Sequence, residues 1–407
     1  MPKLENFENT NSVLLAGLGL SGLITACLLV KYDFSVQCFE PRSINKKKSG
    51  IDKRTTAFLN SAIEVFKEIG VWEQLEKFSQ PLSTMEIIDV SDNQNSSHIS
   101  TTFKAKEISL SQFGFNIPND KITGVLLNYL EKRKKIKLNF EDQIISHFGY
   151  DDFVLAKTRK GNQVRGKLLI ACDGKDSIIR EKEKIKSFRA SYNQLGLVFQ
   201  VTHNLNHNDV TTEILDKGGP FTIIPLKKNK GCNHSTIVWM DYSKNIREIS
   251  NLNEKEFNNL LQEKSLNTRG KIKLSGGKQV WPIMTQISRK LYGKRVAIVA
   301  ESAHVMPPTG AQGLNTSIED IKALFKLLLN TRDQNKDIGS TELLKRYNKD
   351  RLKSVGVKIA VMHFLNKISM TQNTRSQKLR KIALNVISNN LTLKSFLMNL
   401  GLNNKSL

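Results

Sequence analysis

The stretch that decides the fold is Val13–Glu40, VLLAGLGLSGLITACLLVKYDFSVQCFE. It opens with a short apolar run, Val13 to Leu15, of strand length. Gly17, Gly19 and Gly22 follow in the spacing G-x-G-x-x-G, and Leu23–Val30 continues as an apolar helical segment. Ser35–Phe39 reads as a second strand, ending at Glu40. Strand, glycine turn, helix and strand form the order of a βαβ nucleotide-binding unit. In such a unit Gly17 permits the tight turn, Gly19 lets a pyrophosphate approach the backbone, and Gly22 lets the helix pack closely. Free N–H groups and the positive dipole end at the helix start favour phosphate. Glu40 suits hydrogen bonds from an adenosine ribose that carries no 2′-phosphate. The competing reading is a membrane helix, because Val13–Val30 carries no charge and its glycines could form a helix-packing face.

The length of 407 residues suits one large or two intertwined domains with a sizeable core. A hydrophobic fraction of 39% and a charged fraction of 25% fit a globular, soluble protein. The segment before Val13 is polar and unlike a signal peptide. Cys27, Cys38, Cys172 and Cys232 show no paired spacing and read as small core residues of a reducing compartment. His203 and His207 lie four apart in a polar stretch without nearby Cys, so no metal site is assigned. The net charge of +24 is scattered and lacks an aromatic-interleaved basic motif, which argues against nucleic acid.

Two further stretches carry information. In Leu168–Arg180, LLIACDGKDSIIR, an apolar strand runs straight into Asp173-Gly174, with Ser177 and Arg180 on the following helix start. An acid at the end of a buried strand is presented at the carboxyl edge of a sheet, where ligands bind. In Arg295–Ile321, RVAIVAESAHVMPPTGAQGLNTSIEDI, a strand at Val296–Val299 leads to a rigid loop with Pro307-Pro308 and Gly310–Gly313. A helix begins near Leu314, and its free N–H groups are suited to negative charge on a bound ring. Between these stretches, Gly196–Thr202, Phe221–Pro225 and Thr236–Met240 alternate like strands of an antiparallel sheet able to wall a pocket. Arg54 is read as standing just before an amphipathic helix through Leu59, Ile63, Phe66 and Ile69 that stops at Gly70. The basic segment from Ser340 to Leu407 reads as helices covering the core, with docking to a membrane or partner as the alternative.

Taken in order, the glycine fingerprint with Glu40, the Asp173-Gly174 motif with Ser177 and Arg180, and the Arg295–Asp320 stretch resemble the flavoprotein aromatic hydroxylases of the para-hydroxybenzoate hydroxylase type. Within them the chain is most similar to the ubiquinone-biosynthesis hydroxylases, the UbiH/UbiF/UbiL group. Further points of likeness are Arg54-Thr55-Thr56-Ala57, Gly219-Pro220 with Ile224-Pro225-Leu226, Ile237-Val238-Trp239 and Gly310–Asn315. The likeness spans roughly residues 12 to 400. One departure is Ala300-Glu301, where the family carries Gly-Asp.

The resemblance implies an α/β architecture. A Rossmann-like FAD-binding domain (1–80, 116–185 and 282–335) is interleaved with a mixed or antiparallel-sheet substrate domain (81–115 and 186–281), followed by a C-terminal helical region (336–407). It implies FAD as cofactor, NAD(P)H as a transiently docking co-substrate, and O2 reacting through a flavin C4a-hydroperoxide to hydroxylate a polyprenylated phenol. Expected cofactor contacts are Gly17, Gly19, Gly22, Glu40, Arg54, Asn119, Asp173, Gly174, Glu301, Pro307, Gly313, Leu314 and Asn315. No catalytic base is assigned, and His304 is read as structural. The expected location is the cytoplasmic face of the membrane that holds the substrate, with other ubiquinone-biosynthesis proteins as partners. Two alternatives stand beside this: an FAD-fold isoprenoid reductase, and a catalytically silent scaffold subunit of a quinone-biosynthesis complex, the latter motivated by Ala300-Glu301.

Overall fold

The computed structural model describes residues 12–45, 52, 54–91, 98–229 and 231–402. In it, Val13–Val30 is not one helix. β1 (Ser12–Ala16) enters the glycine turn and α1 (Leu20–Lys31) leaves it. Gly22 to Val30 are all buried, because α1 lies between the sheet and two further helices, α4 (Asn119–Glu131) and α8 (Gln312–Asp333). A helix that is apolar all round belongs inside a large core, and that burial explains the uncharged run. Among the described residues, no helix is long and apolar enough to cross a membrane.

The central sheet has the order β19-β20-β12-β1-β2-β8. Its strands are β2 (Ser35–Glu40), β8 (Ile136–Phe140), β12 (Leu168–Ala171), β19 (Tyr292–Gly293) and β20 (Val296–Ile298), with β1. All but β19 run parallel, so β1, β2, β12 and β20 end at one edge. A small sheet of β3 (Thr55–Leu59), β4 (Gln80–Leu82) and β7 (Gly114–Pro118) flanks it, and β9 (Ile144–Gly149), β10 (Val154–Thr158) and β11 (Gln163–Gly166) form another. Strand β3 corrects the reading of Arg54. It inserts between that arginine and α2 (Asn60–Ile69), paired to β7. Gly70 caps α2 at φ 88°, as a left-handed C-terminal stop requires. A short helix, α3 (Trp72–Glu76), follows.

The second large sheet comprises β5 (Thr84–Asp89), β6 (Ile99–Lys104), β13 (Ser187–His203), β14 (Val210–Leu215), β15 (Pro220–Asn229), β16 (Cys232–Tyr242), β17 (Ile272–Leu274), β18 (Gln279–Ser288) and β21 (His304–Val305). The three alternating segments fall in β13, β15 and β16. One face packs Leu197, Phe199, Ile223 and Ile237 against α6 (Ser243–Asn251) and α7 (Glu254–Lys264). By strand alternation the other face carries Thr222, Ile224, Thr236, Val238 and Met240. That face is joined to the nucleotide-binding part by Thr55 Oγ1 to Thr236 Oγ1 at 3.2 Å and Asn116 Nδ2 to the Pro225 carbonyl at 2.9 Å. His203 and His207 are buried here, with ring nitrogens on the Ser235 hydroxyl and the Leu226 carbonyl.

The C-terminal region is helical: α9 (Thr341–Ser369), α10 (Thr374–Asn389) and α11 (Leu391–Leu402). A five-residue helix, α5 (Ile178–Lys182), follows β12.

Candidate flavin site

Because β1, β2, β12 and β20 are parallel, the glycine turn, Glu40, Asp173-Gly174 and Ala300-Glu301 all leave one sheet edge. The three fingerprint glycines meet different demands there. Gly17 has φ 91°, and a Cβ on it would lie 2.4 Å from the Cys172 carbonyl oxygen. A Cβ on Gly22 would lie 2.0 Å from the Gly17 carbonyl oxygen. The chain itself therefore needs these two glycines. Gly19 has φ −61° and nothing within 4 Å of an added Cβ, so the folded chain places no steric demand for glycine there. The open backbone at the start of α1 is what close approach by a pyrophosphate requires, and the residues fit a dinucleotide.

Glu40 is buried at the end of β2. Its Oε2 accepts from the Leu18 amide at 2.8 Å, and its Oε1 accepts from Arg42 Nε at 2.8 Å. These bonds fix the carboxylate beside the glycine turn. Asp173 ends the β12 segment similarly: its Oδ1 accepts from Ser302 Oγ at 2.9 Å, and its Oδ2 from the Ile179 amide at 3.3 Å. The Gly174 amide donates to Ser302 Oγ at 3.2 Å. Ser177 caps α5, and the buried Arg180 donates to the Ser302 and Lys175 carbonyls at 2.7 and 2.8 Å. Asp173 and Arg180, far from Ser302 in sequence, are thereby tied to the 300–302 turn.

That turn has left-handed backbone at Ala300 (φ 60°), and Ala311 ahead of α8 repeats it (φ 56°). An L-alanine there is strained by about 1–2 kcal/mol relative to glycine. The strain is held by a buried ionic cluster. Asp320, fully buried in α8, accepts from His304 Nε2 at 2.5 Å, Arg351 Nε at 2.7 Å and the Ala300 amide at 3.4 Å. Burial pushes the Asp320 carboxyl up, but His304 and Arg351 outweigh it and hold the carboxyl below its ordinary value. His304 is thus committed to positioning the loop.

Gly313 and Leu314 lie in the first turn of α8, where amides have no intrahelical acceptor. Asn315 is one residue further in. Its Oδ1 accepts from the Leu59 amide at 2.9 Å, and its Nδ2 donates to the Ala57 and Ala311 carbonyls at 2.9 and 2.6 Å. Its side chain therefore clamps β3 to the loop. Pro307 is buried and Pro308 exposed on the approach to α8. Glu301 is exposed, and its charge reaches Arg54.

Arg54 and Asn119 share a partner that the sequence did not reveal. Asp52 accepts from Arg54 Nη2 at 2.7 Å and from Asn119 Nδ2 at 3.2 Å. Burial raises the Asp52 carboxyl, and the Arg54 contact more than offsets it, leaving it lowered. The Arg54 guanidinium also stacks 4.2 Å above the Trp281 ring. Glu213, opposite Thr222 on the inner sheet face, is pushed up to about 7 by burial. Ser302, Asp320 and Arg351 escaped the sequence reading because each finds its partners through the fold, and Asp52, two residues from Arg54, because only the fold brings Asn119 to it.

A Rossmann-like sheet edge with an open glycine turn, joined to a large antiparallel sheet, is the architecture of a dinucleotide-binding protein with a second sheet beside the cofactor edge. The chain matches the family model described as FAD binding domain over residues 10–359, and it belongs to that family. Relatives include the 3-demethoxyubiquinol 3-hydroxylase of Escherichia coli K12, 24% identical over 84% of this chain and 85% of that protein. The ubiquinone hydroxylase UbiL of Rhodospirillum rubrum is 25% identical over 85% of this chain and 79% of its own length. Among solved structures, p-nitrophenol 4-monooxygenase PnpA from Pseudomonas putida DLL-E4 superposes with TM-score 0.77 at 16% identity, covering 100% of both chains. Klebsiella pneumoniae HpxO, complexed with FAD and uric acid, gives TM-score 0.73 at 16% identity over 96% of this chain and 98% of its own. The fold is that of the FAD-dependent monooxygenases, and the expected resemblance to ubiquinone-biosynthesis hydroxylases is found in these relatives.

Proposed function

We propose that the chain hydroxylates the aromatic ring of a polyprenylated phenol in ubiquinone biosynthesis, using NAD(P)H and O2. The reaction balances as ArH + O2 + NAD(P)H + H+ giving ArOH + H2O + NAD(P)+. FAD, when bound, supplies the oxygen-activating redox chemistry. The chain supplies binding, orientation and exclusion of water.

The amides at the start of α1 and the bare backbone of Gly19 receive the pyrophosphate, and Glu40 receives the adenosine ribose. Asp173 with Gly174, and Glu301, border the middle of the cofactor. The amides of Gly313 and Leu314 steady negative charge on the ring system, while Asn315 and Pro307 hold their loop in place. Arg54 and Asn119, locked together through Asp52, border the crevice from the β3 side.

The observation that carries this reading is the inner face of the large sheet. Ile224 and Val238 are its half-buried apolar residues, set among Thr222, Thr236 and Glu213, and the Thr55–Thr236 contact turns it toward the nucleotide-binding part. A face of mixed apolar and hydroxyl side chains opposite a flavin crevice suits a phenol ring that carries a hydrocarbon tail, and the names of the relatives point to the same substrate class. Such a substrate resides in a membrane, so the reading places the enzyme peripherally on the cytoplasmic face, near other proteins of the same pathway.

The test is incubation of the flavin-loaded protein with NADH or NADPH, a short-chain prenylphenol and isotopically labelled O2. One labelled oxygen atom in the product is expected. Nicotinamide oxidation with double-bond reduction and no label would instead identify an isoprenoid reductase. A colourless protein that cannot be loaded with FAD would identify a scaffold.

A further inference from the structure

The last two helices and the second half of the helix before them leave apolar residues outward. In α10, the residues turned inward are Gln377 (4% exposed), Arg380 (7%) and Leu384 (8%), while Leu379 (66%), Ile382 (60%) and Val386 (51%) face out. The outward residues recur at the spacing of one helix face. In α11, Lys394 is buried while Leu391, Phe396 and Leu400 are exposed. The second half of α9 exposes Val357, Val361 and Phe364 at the same spacing.

The inward polar groups are satisfied by the fold. Arg380 pairs with the fully buried Asp89 at 2.7 Å and donates to the Ile368 and Ser369 carbonyls at 3.0 and 3.1 Å. Lys394 pairs with Glu107 at 2.7 Å. The arrangement is therefore specified by buried ion pairs, and the apolar faces are left outward by design of the sequence. Apolar residues exposed repeatedly along one helix face suit a surface that meets a partner.

Charge selects the partner. After Asp350 the sequence contains no Asp or Glu, while Lys353, Lys367, Arg375 and Lys378 are exposed along the same helices. A second copy of this chain would bring like charges together. Apolar faces bordered by lysine and arginine match an anionic lipid surface, into which such helices settle about 5–10 Å.

We infer that α10 and α11, with the second half of α9, form a docking face that inserts shallowly into an anionic bilayer and closes one side of the substrate site. The second part deepens the proposed function and rests on it; the docking rests on exposure and charge alone. The link to the site is direct. Thr101 Oγ1 on β6 donates to the Leu384 carbonyl at 3.2 Å, and Gln312 Nε2, at the first residue of α8, donates to the Gly401 carbonyl at 3.1 Å. One of the helices that meet lipid, α11, thus also touches the start of α8, next to the loop at Pro307–Ala311.

The experiment is co-sedimentation of the flavin-loaded full chain with phosphatidylcholine vesicles, with and without phosphatidylglycerol. Binding is expected only with phosphatidylglycerol and should weaken as salt rises. A Leu379→Ser, Ile382→Ser, Val386→Ser variant should bind at least about tenfold more weakly with unchanged flavin content and melting temperature. The substitution Leu379→Trp should give fluorescence that shifts to the blue on those vesicles and is quenched by brominated lipid. Absence of phosphatidylglycerol-dependent binding, or full binding by the triple-serine variant, overturns the inference. So does a dimer that the triple variant dissolves while vesicles stay unbound. Vesicle binding by a protein that hydroxylates nothing would leave the docking face standing and remove the substrate reading; hydroxylation without vesicle binding would do the reverse.

Discussion

The glycine turn at Gly17–Gly22 and the loop at Val299–Asn315 border one sheet edge, yet they are built by opposite means. The first is local. Its shape follows from missing side chains within six residues, and its partners are the two strands that flank β1, β12 at the Cys172 carbonyl and β2 at Phe39 and Glu40. The second is assembled from a distance. Its left-handed alanines are held by Asp320 from α8, Arg351 from α9 and Asn315 against β3. A phosphate-binding turn can be encoded by composition, whereas a ring-binding loop of this length needs tertiary ties to stay in one conformation.

Four substitutions probe that contrast. Asp320→Asn should have the largest effect, destabilising the fold by about 3 kcal/mol in denaturant unfolding, because it removes the fully buried carboxylate that Arg351 and His304 share and leaves Arg351 only the Glu319 carboxylate at 3.1 Å. The pH dependence has a definite sign. The folded carboxyl is lowered, so its stabilisation is complete above the ordinary aspartate value of about 4 and is lost as pH falls through the folded value. The difference between wild type and variant should therefore shrink only in strong acid. Gly19→Val should weaken FAD binding at least about a hundredfold, some 2.7 kcal/mol, while apoprotein melting stays unchanged. Retention of stoichiometric flavin by that variant would refute the assignment of the turn. Asn315→Ala should cost about 1–3 kcal/mol through unpaired Leu59 and Ala57 groups, with flavin lost as β3 and the loop separate. Ala300→Gly should be mildly stabilising, by up to about 1 kcal/mol in thermal unfolding. A loss there would show that the methyl group is packed for a reason other than backbone shape.

Much of the sheet edge was legible because its parts are sequence-local. Gly17, Gly19 and Gly22 with Glu40, and Asp173-Gly174 after an apolar strand, each announce a turn at a strand end. Strand β3 was missed because Thr55–Leu59 adjoins an amphipathic helix, and only pairing with β7 makes it a strand. Asp320 looked like an ordinary charge in a helix, since nothing in its neighbours signals complete burial. The apolar residues after Ile382 suggested a helix covering the core. The helices do cover the large sheet, but through Gln377, Arg380 and Leu384, which leaves Ile382 and Val386 outside.

The amino-acid order by itself determined the nucleotide-binding unit and the class of cofactor, because glycine stereochemistry and strand alternation act over a few residues. Only the tertiary structure decided which carboxylate His304 meets, how Arg54 and Asn119 are joined, and which way the last helices face. The last of these depends on charges that meet across nearly three hundred residues, Arg380 with Asp89 and Lys394 with Glu107, and an ion buried without a partner is too costly to keep.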